Sequence, residues 1–231
     1  MSTIGHRSSV IGHRIGILGG TLDPIHCGHV GAASAALEAL ALSQVLVIPS
    51  HVPPHRASRP VESAYHRFAM AALAVSTEPG LAVSDLELLT DGPSYTSETL
   101  ERLHAQGLSA AQIFFITGAD AFADIATWKR YPEVLNLAHF VVVSRPGHTL
   151  DALDDRLPAL ADRMRPAGAA AHGASGPLIH LLQAATPDVS STIVRDRLKR
   201  GEPITGLVPP LVEAHILKHR LYQVEQSHGE I

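Results

Sequence analysis

The chain has 231 residues, 45% hydrophobic and 17% charged, with a formal net charge of −4 at pH 7. That length holds one α/β domain or two small ones around a real core, and the near balance of charge excludes the broad basic field that nucleic acid or an anionic membrane calls for. One cysteine, Cys27, excludes an intrachain disulfide and fits a reducing compartment; no apolar run reaches the roughly 20 residues of a membrane span, so the expectation is a cytoplasmic protein.

Residues 1–13 read as an N-terminal tail, carrying Arg7 among Ser and His but not the apolar stretch of a signal peptide. Arg14–Leu18 reads as a short buried strand closed by Gly19-Gly20, Val30–Leu42 as an Ala- and Leu-rich helix, and Val45–Ile48 as a second strand. Strand, glycine turn, helix, strand is a βαβ unit, which implies parallel pairing and a right-handed crossover. A proline-rich loop at 49–60 leads to a helix at Ala64–Ser76, a strand at Leu81–Leu88 and a helix at Ser97–Gln106. Gln112–Thr117 and Phe140–Val143 read as buried strands, Pro177–Leu182 as the last strand, and Ser191–Arg200 and Pro209–His219 as closing helices. The Ala-, Asp-, Arg-, Pro- and Gly-rich stretch 148–176 reads as a surface excursion. The alternation predicts one α/β domain over 14–223, a Rossmann-like doubly wound parallel sheet with helices on both faces, and a C-terminal tail at 224–231.

Open α/β sheets bind ligands beyond the carboxyl ends of their strands, so the first strand-to-helix loop, Gly19–His29 (GGTLDPIHCGH), is the first candidate site. Its glycines admit close approach of a phosphate, and the following helix presents N–H groups and a positive dipole end to an anion. His26 and His29, flanking Gly28, can donate to phosphoryl oxygens as charge builds there. The competing readings are two surface caps, or a metal site completed by Cys27. A second anion site opens at Ser190-Ser191-Thr192, with Arg195 on the next turn; a plain helix cap with a solvated arginine is the alternative.

The loop GGTLDPIHCGH resembles the signature of the nucleotidyltransferase superfamily with the H-x-G-H motif. Further blocks in family order, VPPHR at 52–56, SYTSETL at 94–100, FITGADAF at 115–122 with Trp128, SRPG at 144–147 and VSSTIVR at 189–195, make the chain similar to bacterial nicotinate-nucleotide adenylyltransferases over roughly 14–223. The resemblance implies transfer of the adenylyl group of ATP to nicotinate mononucleotide, with pyrophosphate leaving. It implies that His26, His29 and Thr21 are catalytic, and that Gly19, Gly20, Thr21, His26, His29, Ser191, Thr192 and Arg195 bind ATP. For the acceptor it implies His55, Arg56, Tyr95, Thr96, Gly118, Asp120, Trp128 and Arg145, with Trp128 stacking on the pyridine ring and Asp120 accepting from a ribose hydroxyl. Mg2+ is expected with ATP, held mostly by water and phosphate and not by a protein cage.

Several positions depart from the family pattern. Leu22 stands where Phe is usual, Ser50-His51 replaces a pair that elsewhere includes Asn, Glu98 replaces Asp, and Lys129 follows Trp128 where a second aromatic is common. Arg67 reads equally as a phosphate contact or a surface ion pair. The acceptor is a phosphate monoester, already anionic at pH 7 with a second pKa of roughly 6 by analogy with phosphorylated side chains, so no general base is called for. The expected partners are these small molecules, with neither nucleic acid nor membrane and with a homo-oligomer left open. The alternatives are another adenylyl- or cytidylyltransferase of the superfamily, such as a pantetheine-phosphate adenylyltransferase, and a non-catalytic nucleotide-binding module.

Overall fold

The computed structural model describes residues 13–54, 62–144, 150, 153–169 and 176–223. The N-terminal residues 1–12 and the C-terminal tail 224–231 therefore lie outside the described residues, as do His55, Arg56 and Arg145.

Strands β1 (Ile15–Gly20), β2 (Gln44–Pro49), β3 (Leu81–Val83), β4 (Ile113–Gly118), β5 (His139–Val143), β6 (Met164–Pro166) and β7 (Ile179–Leu182) form one sheet. Its order is β3-β2-β1-β4-β5-β7-β6, with every neighbouring pair parallel. The helices are α1 (Cys27–Ala39), α2 (Ala64–Val75), α3 (Thr96–Ala105), α4 (Ala119–Ala123), α5 (Leu153–Arg156), α6 (Ser191–Lys199) and α7 (Pro210–His219).

Successive side chains of a strand face opposite sides, and the apolar runs use both. Leu18, Val45, Val47, Phe114, Ile116 and Val141 pack with Ala33 and Ala36 of α1, Met70 of α2, Val194 of α6 and Ile216 of α7. Ile17, Ile48, Phe115, Phe140 and Val142 pack on the other side with Leu100 and Leu103 of α3 and Phe122 of α4. Both faces are covered, so a parallel sheet with near-continuous apolar strands is stable here. The lack of a side chain at Gly16 sets how closely the layers meet: a Cβ there would come within 2.8 Å of Val45 and 2.9 Å of Leu42.

Three boundaries differ from the sequence expectation. The helix expected from Val30 begins at Cys27, because His26 and His29 form a reciprocal cap around its first turn. The strand expected over Leu81–Leu88 stops at Val83: the chain turns, with the Leu88 N–H donating to the Asp85 carbonyl at 2.8 Å. The stretch 148–176, expected as a surface excursion, contributes α5 and the edge strand β6. Leu153, Leu160 and Met164 in it are buried and Leu150 and Leu157 partly so, and they hold an otherwise polar segment to the sheet.

Candidate active site

The strand order reverses between β1 and β4, and open sheets of this kind bind ligands at that switch point. The β1–α1 loop leaves the sheet there. Leu22 is buried at 2% exposure with φ of 52°, a left-handed conformation that costs a non-glycine residue roughly 1–2 kcal/mol. The surroundings hold it in place. Arg67, 1% exposed, donates to the carbonyls of Thr21 at 2.6 Å, His51 at 3.0 Å and Glu62 at 3.3 Å. Its burial rules out the surface position of one expected reading, and these bonds tie the first loop to the β2–α2 connection. Asp23, fully buried, accepts from the Tyr222 hydroxyl at 2.8 Å and the Glu62 N–H at 3.3 Å. Burial and the Asp23 carboxylate push the Tyr222 phenol up, so it stays a donor.

The first turn of α1 carries the two histidines. His26 is the N-cap, 2% exposed, and its backbone N–H donates to Nδ1 of His29 at 3.3 Å. An acceptor Nδ1 leaves the neutral His29 ring its proton on Nε2, the nitrogen that can donate to a ligand. The two rings lie 3.7 Å apart between centroids, tilted by 32°. Gly28 makes room for this arrangement, since a Cβ would stand 3.1 Å from the His26 ring and 3.3 Å from the Pro187 carbonyl.

Helix α6 joins the same loop. Ser190 caps it by accepting from the Ile193 N–H at 3.2 Å. Ser191 donates to the Pro24 carbonyl at 2.9 Å, and Arg195 to the Asp23 carbonyl at 2.6 Å and the Thr192 hydroxyl at 3.1 Å. The plain-cap alternative and the phosphate site are thus not exclusive: Ser190 is the cap, while Ser191 and Arg195 hold two helix starts together, each offering N–H groups to an anion.

Beside this junction lies a cavity of about 400 Å³, which meets the first loop at Gly19, Gly20 and Thr21. Its walls include Tyr95 and Thr96 at the start of α3, Thr117 at the end of β4, and Trp128. Trp128 packs edge-on against Phe115, centroids 6.0 Å apart at 85°, which leaves the indole at the wall with a fixed tilt. Lys129, which stands where a second aromatic is common, lies 4.1 Å above the Tyr95 ring and pairs with Glu98 at 2.6 Å, so its charge is partly balanced. Gly118 caps α4, and Asp120 lies exposed in its first turn; of this block Phe115, Thr117 and Ala121 line the cavity.

Sequence reasoning missed Glu87. The strand expected over Leu81–Leu88 made it an ordinary alternating position, whereas the turn after β3 places it in the cavity wall. Among the described residues no group of three or more His, Cys, Asp or Glu is arranged to hold a metal ion, and the backbone N–H of Cys27 donates to the Leu207 carbonyl.

A doubly wound sheet with two helix starts joined at its switch point is the frame of a nucleotidyltransferase-like fold, and the Cytidylyltransferase-like family model matches residues 17–197. The chain is 42% identical over 211 residues to the nicotinate-nucleotide adenylyltransferase of Roseiflexus sp. (strain RS-1), covering 90% of this chain and 98% of the relative. It is 39% identical over 210 residues to that of Moorella thermoacetica, covering 91% and 92%. This chain belongs to the nicotinate-nucleotide adenylyltransferase family. Its fold matches that of the Plasmodium falciparum nicotinic acid mononucleotide adenylyltransferase complexed with NaAD, with TM-score 0.71 and 18% identity over 91% of this chain and 97% of the other.

Proposed function

We propose that this enzyme transfers the adenylyl group of ATP to nicotinate mononucleotide, giving nicotinate adenine dinucleotide and pyrophosphate in NAD biosynthesis. The observation that carries the reading is the junction of two laced helix starts with an aromatic-walled cavity at Gly19–Thr21, in a chain 42% identical to a relative of that name. ATP lies with its phosphates across the starts of α1 and α6, and the acceptor fills the cavity. A phosphate oxygen of the acceptor attacks the α-phosphorus in line, the bond to the β-phosphate bridge breaks, and pyrophosphate departs with that electron pair.

Positioning and charge stabilisation supply the catalysis. His29 donates through Nε2–H to the developing charge; His26 stacks against it and fixes its orientation through the backbone N–H. Thr21, Thr192 and Arg195 complete the phosphate-facing donors. Trp128 meets the pyridine ring, and the first-turn N–H groups of α3 receive its carboxylate. Asp120, Gly118, His55, Arg56 and Arg145 remain proposed acceptor contacts. Mg2+ would be held on the ATP phosphates mostly by water and would neutralise charge there; among the described residues no group of three or more His, Cys, Asp or Glu is arranged to cage it. No helix among the described residues is long and apolar enough to cross a membrane, which suits water-soluble substrates and a cytoplasmic setting.

The test is pyrophosphate release from ATP with nicotinate mononucleotide, its amide counterpart, or phosphopantetheine as acceptor. Release with the acid at a kcat/KM at least about tenfold above the others is expected from one mismatched buried hydrogen bond. Equal release with phosphopantetheine, or none with the acid, would contradict the reading.

A further inference from the structure

Glu87 has no role in the account so far, yet it is built into the acceptor cavity. It sits on the turn after β3, 5% exposed, in the wall beside Ser94, Tyr95 and Thr96. The Thr99 hydroxyl donates to its Oε1 at 2.6 Å, while Oε2 is buried with no hydrogen-bond partner among the described residues. An acceptor carboxylate at the start of α3 brings a second carboxyl group to the same wall. Two ionised carboxylates at such a place repel strongly, and one proton on Glu87 removes the repulsion.

We propose that Glu87 sets the pH range over which the acid is chosen over the amide: it takes up a proton when the acid acceptor binds, so that one negative charge and not two stands at this wall. The inference rests on nicotinate mononucleotide being the acceptor. Its chemistry agrees with the surroundings. Burial pushes the Glu87 carboxyl above the usual carboxylate range, against the hydroxyls of Thr99 and Ser94, Arg102 of α3 and Arg67 of α2, which favour ionisation. Arg67 is engaged with backbone carbonyls, and Lys129 at the cavity wall with Glu98. His51 faces the same turn, its Nδ1 bonded to the Thr90 carbonyl at 2.8 Å.

The sign follows from linkage. Binding the acid raises the proton affinity of Glu87, so affinity for the acid is full below the carboxyl's pKa in the unliganded enzyme. Above it, affinity falls by about tenfold per pH unit until the pKa of the complex is reached. The uncharged amide lacks this dependence, and titration of the acceptor phosphate is common to both and cancels in their ratio.

The experiment measures kcat/KM for both mononucleotides from about pH 6 to 8.5 in the wild type and in Glu87→Gln, a neutral isostere that keeps a donor. The acid-to-amide ratio should fall by about tenfold or more across that range in the wild type and stay level in Glu87→Gln. A level ratio in the wild type, with both acceptors turned over, overturns the proposal; so does a fall that survives in Glu87→Gln, which would assign it to His51 or Lys129. Should Glu87→Gln fail to fold, calorimetry on the wild type in two buffers of different ionisation enthalpy decides. Proton uptake with the acid and none with the amide supports the proposal, and equal uptake contradicts it. Absence of pyrophosphate release with either acceptor would strike the functional reading instead.

Discussion

The two halves of the site are built differently. The side proposed for ATP is packed: His26 is 2%, Asp23 0% and Arg67 1% exposed, with bonds from Arg67 and Arg195 to backbone carbonyls and a buried phenol–carboxylate contact at Asp23. The acceptor side is an open cavity of about 400 Å³, with Tyr95, Thr96 and Trp128 half-buried in its wall. Charge stabilisation needs donors fixed before the reaction, since reorganising them would cost part of the benefit. Choosing an acceptor needs a surface that a ligand can enter and fill. On the proposed function, the packed half would carry turnover and the open half recognition.

The largest effect that could break this division is at His29. Removing one pre-placed donor costs about 10²–10³ in turnover, so His29→Ala should lose that much in kcat with little change in the KM for the acceptor. Steady-state kinetics with saturating ATP measures it; near-normal turnover would remove the histidine from the chemistry. Arg67 comes next, and its effect lies on stability. Arg67→Ala strips three carbonyls of a charged donor in a buried place, and thermal or urea unfolding should show a loss on the order of 3 kcal/mol. Arg67→Lys should recover only part of it, because an ammonium lacks the planar fork that reaches separate acceptors. A neutral result for Arg67→Ala would mean the loop holds its own shape. Trp128 is the smallest effect and the mirror of the first. Losing a stacking aromatic costs about 1–3 kcal/mol, so Trp128→Ala should raise the acceptor KM by roughly 5- to 150-fold with kcat changed far less.

Much of this was legible in the sequence, for identifiable reasons. Arg14–Leu18 with its two glycines, Val45–Ile48 and Gln112–Thr117 are apolar runs bounded by turns, and period and punctuation place them without long-range information. The first loop and the α6 start were legible because residue types that serve phosphates stand at helix starts. The connections between them were not. Tyr222 and Asp23 lie 199 positions apart, and Arg195 and Asp23 lie 172 apart, so nothing local announces either bond. Arg67 left two polar readings open because a buried arginine whose partners are carbonyls carries no charge pattern. Glu87 was hidden by its neighbours: Leu81–Leu88 alternates enough to suggest a strand, and only the pairing of β2 with the short β3 ends it at Val83. The edge strand β6 escaped because its apolar anchors, Leu153, Leu160 and Met164, are spread too thinly through a polar stretch to show a period.

A double-variant cycle tests the division most directly: kcat/KM for nicotinate mononucleotide in the wild type, His29→Ala, Trp128→Ala and the two combined. Independent halves predict that the losses multiply, leaving a coupling within about 0.5 kcal/mol of zero, with His29→Ala acting on kcat and Trp128→Ala on KM. A combined loss no greater than that of His29→Ala alone would contradict the account, since it would make the indole and the imidazole parts of one catalytic unit.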